Sequence, residues 1–279
     1  MELKAYGKIN LGLKILGKRE DGYHKVETLL LPIQLADNLS FEPNPVFEIQ
    51  GPNFGSDDFM YKSIRALEKK VGSPLGGKIA IQKKIPVGAG LAGGTADGAA
   101  SIKGFNELHN LNYTIEELTE MVASLGADFT YCMYNHSAFG TGIGENLEFL
   151  YGIPSIPCIL LNPGFSVSTK EAYSWICEYS DGLDREKIVE ALRNMDGKQL
   201  QDFAENDLEF GVAKRFPEID AMKRNLYDSG AEFASMTGSG PTVFGLYSSI
   251  EAREKAFEEL KDKWAIAIQT SIWEGDWNE

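Results

Sequence analysis

Four groups of residues have the types and spacing to handle a charged small molecule. The first is the run Pro86-Val87-Gly88-Ala89-Gly90-Leu91-Ala92-Gly93-Gly94-Thr95-Ala96, followed by the alanine-rich Ala99-Ala100-Ser101-Ile102. Four glycines let bare backbone approach a ligand, and the alanines predict a helix whose unpaired N–H groups attract an anion, most often phosphate. Thr95 adds a hydroxyl in reach of a phosphate or its magnesium. The plainer alternative is a flexible connector between strand and helix.

The second group is Lys8 with Asn10. Ile9, Leu11, Leu13 and Ile15 alternate with Lys8, Asn10, Gly12 and Lys14. That period of two predicts a half-buried strand with Lys8 and Asn10 side by side on its polar face. The third is Asp128, in a turn after a helix and flanked by Ala127 and Phe129. Phosphoryl transfer needs a group to take the acceptor's proton and cations to spread the developing charge; Asp128 and Lys8 are the candidates. Each has a plainer reading alone, a solvated strand lysine and a turn-forming aspartate. The fourth is Tyr23-His24, a pair able to stack on a base and hydrogen-bond its edge, or simply to fill surface or core. His109 and His136 lack a companion at metal-ligand spacing.

Other nucleotide chemistries fit poorly. Gly88-x-Gly90-x-x-Gly93 matches the dinucleotide fingerprint in form, without its strand–turn–helix setting or its acidic ribose ligand. The P-loop pattern and the His-Arg-Asp motif of protein kinases are missing.

The elements that must position these groups follow from pattern. After the first strand and a turn over residues 17–22 comes a second strand over 26–35. A helix is predicted over 57–71 and a strand over 78–83, leading into the glycine run. Thr114-Ile115-Glu116-Glu117 reads as a capping box. Behind it Ile115, Leu118, Val122 and Leu125 form a buried helix face, with Gly126 as its C-terminal cap. Residues 152–157 thin into a crossing between halves. Beyond lie a strand over 158–161 and helices near 170–178, 185–195, 198–210 and 217–229, the last ending at Gly230. Strands over 232–236 and 243–247 flank the turn Thr237-Gly238-Ser239-Gly240-Pro241. A helix starting at Ser248-Ser249-Ile250-Glu251 and a strand near 265–272 complete the chain. This mixture lacks the regular alternation of a doubly wound fold.

The 279 residues carry 27 basic and 41 acidic side chains, a net charge of −14. Such a surface disfavours nucleic acid and anionic membranes, so a small anionic substrate needs a local basic pocket. Three widely spaced cysteines (Cys132, Cys158, Cys177) fit neither a disulfide framework nor a zinc site. No apolar run is long enough to span a bilayer, and the start reads as a strand rather than a signal region. A cytoplasmic enzyme acting as monomer or homodimer is expected.

Together these segments resemble the GHMP kinase superfamily. The likeness rests on Gly7-Lys8-Ile9-Asn10-Leu11, Arg19-Glu20-Asp21-Gly22-Tyr23-His24, the glycine run and Gly126-Ala127-Asp128. Further on it includes Gly140-Thr141-Gly142-Ile143-Gly144-Glu145, Asn206-Asp207-Leu208-Glu209 and Met236-Thr237-Gly238-Ser239-Gly240-Pro241. The Asp-Gly-Tyr-His segment resembles the branch whose acceptor is a cytidine diphosphate sugar alcohol of the non-mevalonate isoprenoid route. Homoserine- and mevalonate-type acceptors, or a catalytically weak nucleotide-binding homologue, are the alternatives.

The resemblance implies a two-domain α+β fold. Residues 1–153 would form an ATP-binding domain like the second domain of ribosomal protein S5, and residues 154–279 a ferredoxin-like domain. ATP with Mg2+ would lie along residues 86–96, with Asp128 taking the acceptor's proton and Lys8 holding the hydroxyl and the moving phosphoryl group. Asn10, Tyr23, His24, Thr169 and Tyr173 would receive the acceptor. Two departures stand out. Phe129-Thr130 replaces the family's usual Val/Ile-Pro and predicts a looser turn at Asp128. Gly98 replaces alanine and predicts a helix start weaker by up to about 1 kcal/mol.

Overall fold

A computed structural model describes residues 1–52 and 55–275. Its first half contains β1 (Glu2–Lys18), β2 (His24–Glu42), β3 (Phe47–Gln50), α1 (Phe59–Val71), β4 (Gly77–Gln82), α2 (Gly93–Leu108), α3 (Ile115–Val122), α4 (Phe129–Tyr134), β5 (Ala138–Thr141) and β6 (Asn146–Phe149). The second contains β7 (Ile156–Asn162), α5 (Thr169–Ser174), α6 (Arg185–Asn194), α7 (Gly197–Phe203), α8 (Asp207–Ala213), α9 (Glu218–Asp228), β8 (Phe233–Met236), β9 (Val243–Leu246), α10 (Ile250–Leu260) and β10 (Ile266–Ile272). No helix among the described residues is long and apolar enough to cross a membrane.

Strand β2 is the hub. It pairs antiparallel with β1, β4 and β5, and meets β10 at Ile33–Ile272. That contact joins the first sheet to the antiparallel run β10-β7-β9-β8 of the second half. Helices α1 to α4 close the first sheet over Phe41, Ile64, Ile79, Ile102 and Phe105. A second cluster packs Ile9, Leu11, Leu29 and Leu31 against Ile156, Leu160, Leu192 and Phe244. The third gathers Met222, Leu226, Val243 and Leu260 with Leu13 and Ile15 of β1. The hydrophobic core therefore runs through both halves.

β1 departs from the half-buried expectation, because residues 7–13 are buried without interruption. Its polar face is covered from the other side: the Lys8 N–H donates to the Leu91 carbonyl at 3.1 Å and the Asn10 N–H to Thr237 Oγ1 at 2.9 Å.

The helix expected over 198–210 is broken into α7 and α8. At the break the Leu13 N–H donates to the Glu205 carbonyl at 2.9 Å. Asn206 Nδ2 donates to the carbonyls of Met236 and Gly238 at 2.8 and 2.9 Å. Tertiary partners thus draw the backbone out of the helix. The helix expected near 170–178 is only the six residues of α5. Gly126 is no left-handed cap: α3 passes into a 3-10 turn and Gly126 is extended at φ 173°.

Both expected weaknesses near Asp128 prove to be one packing device. The Phe129 ring is fully buried, edge-on to Phe59 with centroids 5.3 Å apart. A Cβ on Gly98 would lie 2.9 Å from Phe129 Cζ. The glycine lets the ring seat against α2, and the seated ring anchors the turn that a proline would otherwise stiffen.

Candidate active site

A cavity of about 650 Å3 lies between the glycine run, β1 and the turn after β8. Residues 86–95 line one wall, Lys8, Asn10 and Asp128 the floor, and Thr169, Tyr173 and Gly238 to Gly240 the far side. Ala89 and Leu91 turn their side chains into the core, so that part of the wall is backbone.

The approach of the two glycine turns explains the residue types. Gly90 sits at φ +77°, and a Cβ there would lie 2.7 Å from the Thr237 carbonyl oxygen. Ala92, at the N-cap of α2, is left-handed at φ 56° and offers no side-chain cap. The N–H groups at the start of α2 thus have no side-chain cap, Gly93 and Gly94 line the cavity, and strain of this sort gathers at ligand sites. Thr95 lines the cavity next to them. The cavity-lining run stops there: Ala96 packs in the core and its N–H bonds the Ala92 carbonyl at 2.9 Å.

Lys8 is 4% exposed. Its Nζ donates to Asn10 Oδ1 at 2.7 Å and to the Gly90 carbonyl at 3.3 Å. Asn10 Nδ2 in turn donates to Thr28 Oγ1 at 2.9 Å. Asp128, at the N-cap position of α4, brings Oδ2 to 4.0 Å from Lys8 Nζ with its side chain 41% exposed. A buried, oriented ammonium therefore faces an accessible carboxylate at a separation that one hydroxyl oxygen can bridge from the side, within hydrogen-bond reach of both. Among the described residues no group of three or more His, Cys, Asp or Glu could hold a metal ion.

Tyr173, the aromatic residue on the far side of the cavity, leads to a ring cluster next to it. His24 stacks on Tyr173 with centroids 5.1 Å apart, and Tyr179 tilts toward it at 6.5 Å. Burial, then the Lys18 charge, lowers the His24 pKa and so favours the neutral ring. Burial, then the Asp128 carboxylate, pushes the Tyr173 phenol up to about 12. Tyr23 is not part of this stack; it stands 61% exposed at the tip of the β1–β2 turn, its N–H bonded to Asp21. Thr169 Oγ1 lies 3.0 Å from Ser239 Oγ, linking α5 to the second glycine turn.

Several participants escaped the sequence reading. Lys83 lines the cavity and bridges Asp37 (2.6 Å) and Asp97 (2.5 Å). Asp37 also accepts the N–H groups of Lys84 and Ile85, so one buried cluster ties the start of the glycine run to α2. Tyr179 carried no signal except its aromatic type. Lys83 sat next to the glycine run and was legible as a further cation.

The family model for GHMP kinase N-terminal domains matches residues 58–136, and that for GHMP kinase C-terminal regions matches residues 188–266. A 4-diphosphocytidyl-2-C-methyl-D-erythritol kinase from Thermoanaerobacter pseudethanolicus is 36% identical over 274 residues, covering 96% of this chain and 94% of that relative. The enzyme of the same name from Bacillus pumilus is 40% identical over 265 residues, 92% of each chain. A crystal structure of 4-(cytidine 5'-diphospho)-2C-methyl-D-erythritol kinase superimposes with a TM-score of 0.88 at 31% identity, covering 99% of this chain and all of that one.

Proposed function

Because the chain belongs to the GHMP kinase family, we propose that it transfers the terminal phosphoryl group of ATP to the 2-hydroxyl of 4-diphosphocytidyl-2-C-methyl-D-erythritol. This is a step in non-mevalonate isoprenoid precursor synthesis, carried out in the cytoplasm. The observation that carries the reading is Lys8 Nζ at 4.0 Å from Asp128 Oδ2, beside a glycine-lined helix N-terminus. Residues 1–153 act as the nucleotide and catalytic domain and residues 154–279 as the domain that completes the acceptor wall.

In this reading the backbone of residues 86–95 and the start of α2 cradle the triphosphate. The Thr95 hydroxyl would be this chain's contact to a magnesium ion bound with the nucleotide, and that ion would supply positive charge to offset the phosphates. Asp128 accepts the proton of the acceptor hydroxyl. Lys8, its orientation set by Asn10 and the Gly90 carbonyl, holds that hydroxyl and the phosphoryl oxygens as charge builds on them. The neutral His24 ring, with Tyr173 and Tyr179 about it, meets the base: one ring nitrogen donates and the other accepts along a pyrimidine edge. Tyr23, at the exposed turn, closes over the base from outside.

The aromatic group favours a cytidine acceptor, since homoserine or mevalonate offers it nothing to stack on. The test is a coupled assay with ATP and the cytidine acceptor. Asp128→Asn and Lys8→Ala should each lower kcat by about 10²-fold or more, and His24→Ala should raise the acceptor KM alone. ATP binding by wild-type protein with no phosphoryl transfer to this acceptor would overturn the assignment.

A further inference from the structure

The Asn206-Asp207-Leu208-Glu209 segment lies outside the phosphoryl-transfer chemistry, yet Asp207 is among the most heavily bonded carboxylates of the chain. Its Oδ2 accepts the Ile15 N–H of β1 at 2.8 Å and the Ser180 hydroxyl at 2.7 Å. Its Oδ1 accepts from Lys14 Nζ at 3.0 Å. Ser180 closes the ring, its own N–H donating to the Ile15 carbonyl at 2.9 Å. The residue before it is Tyr179, the ring that tilts toward His24.

We infer that Asp207 is a positioning residue for the acceptor's base. It fixes the Tyr179-bearing segment to β1, and so sets the opening between Tyr179 and His24. The inference rests on the cytidine reading above.

All three partners of this carboxylate are donors, and only a carboxylate presents two acceptor oxygens to them. An amide turns one oxygen into a donor, which must then face either Lys14 or the pair formed by Ile15 and Ser180. The segment is not freed altogether, because Glu27 Oε2 accepts the Leu183 N–H at 2.8 Å further along. The consequence is a displaced aromatic wall in an otherwise intact protein. Neither Lys8 nor Asp128 bonds any member of this ring, so the chemical step is untouched.

Steady-state kinetics of Asp207→Asn, Ser180→Ala and Tyr179→Ala test this. Asp207→Asn should raise the KM for the cytidine acceptor about tenfold, with kcat and the KM for ATP within about twofold. Ser180→Ala should move the same constant in the same direction, Ser180→Thr should restore it, and neither Asp207→Asn nor Ser180→Ala should add to it in the Tyr179→Ala background. Hydrogen exchange of the free protein should quicken at the Ser180 amide in Asp207→Asn. An unchanged acceptor KM, an equal rise in the ATP KM, or a full effect persisting without Tyr179 would overturn the inference and leave the proposed reaction standing. If Asp207→Asn fails to fold, Ser180→Ala reads the same link. Wild-type protein indifferent to the cytidine acceptor would overturn both.

Discussion

Two alanine substitutions in one loop should change stability in opposite senses and function in the same sense. Gly94 lies in the first turn of α2, exposed to the cavity, with no positive φ and with Phe59 Cδ2 at 3.6 Å as the one heavy atom near a Cβ. Alanine there meets ordinary contact and gains helix propensity, so Gly94→Ala should stabilise the free protein by about 0.5–1 kcal/mol. For a chain of this size that is a Tm rise of roughly 2 °C. The new methyl group occupies the space where phosphate oxygens approach the α2 N–H groups, so the KM for ATP should rise at least about tenfold. Gly90→Ala is the converse. Its φ of +77° is strained for alanine by about 1–2 kcal/mol. The Thr237 carbonyl 2.7 Å from the new Cβ cannot yield freely, since Asn10 N–H holds the same residue. The loop must shift, taking with it the Gly90 carbonyl that orients Lys8, and displacements near 1 Å cost about 10²-fold in rate. Calorimetric ATP binding, Tm and kcat measured together decide the matter. Gly94→Ala protein that binds ATP like wild type, or a Tm that falls in both variants, would refute the phosphate cradle as described.

Gly98→Ala should destabilise by about 1–3 kcal/mol despite better helix propensity, because the added Cβ overpacks the Phe129 ring; urea unfolding reads this. Phe129→Ala should cost about 3–5 kcal/mol by the same measure and lower kcat through the released Asp128 turn. For Asp97, burial is the main cause that pushes the carboxyl from 3.8 up to about 7, with Lys83 opposing and the Asp37 carboxylate adding to the rise. A raised carboxyl contributes stability that is complete below its unfolded value and is lost as pH climbs through the folded one. The Tm of wild type relative to Asp97→Asn should therefore decline between about pH 4 and 7 and level off above; a flat difference would show that Asp97 ionises normally.

Local patterns survive folding where the backbone alone decides them. The Thr114 capping box forms as expected, with the Thr114 side chain accepting from Glu117 N–H and the Glu117 carboxylate from Thr114 N–H. Ser249 caps α10, and Gly230 at φ 98° follows the end of α9. The missed strands β3, β5 and β6 exist because neighbouring strands supply their hydrogen bonds, whereas β8 and β9, equally short, were legible from the glycine turn between them. The break between α7 and α8 was hidden for a related reason. Residues 198–210 favour helix locally, and β1 and the second glycine turn compete for their carbonyl and amide groups from far along the chain.

The alternation of β1 was enough to set Lys8 beside Asn10, and four glycines before an alanine-rich run were enough to mark a helix start, which the structure places on the cavity. Those are properties of neighbours, governed by the strand's two-residue period and by glycine's lack of a side chain. The 4.0 Å separation of Lys8 and Asp128 is of another kind, as are Tyr179 beside His24 and the Phe129 ring filling the hollow at Gly98. Each joins residues remote in sequence. Their meeting depends on how side-chain volumes and buried polar partners are satisfied across the whole core, which no local pattern encodes.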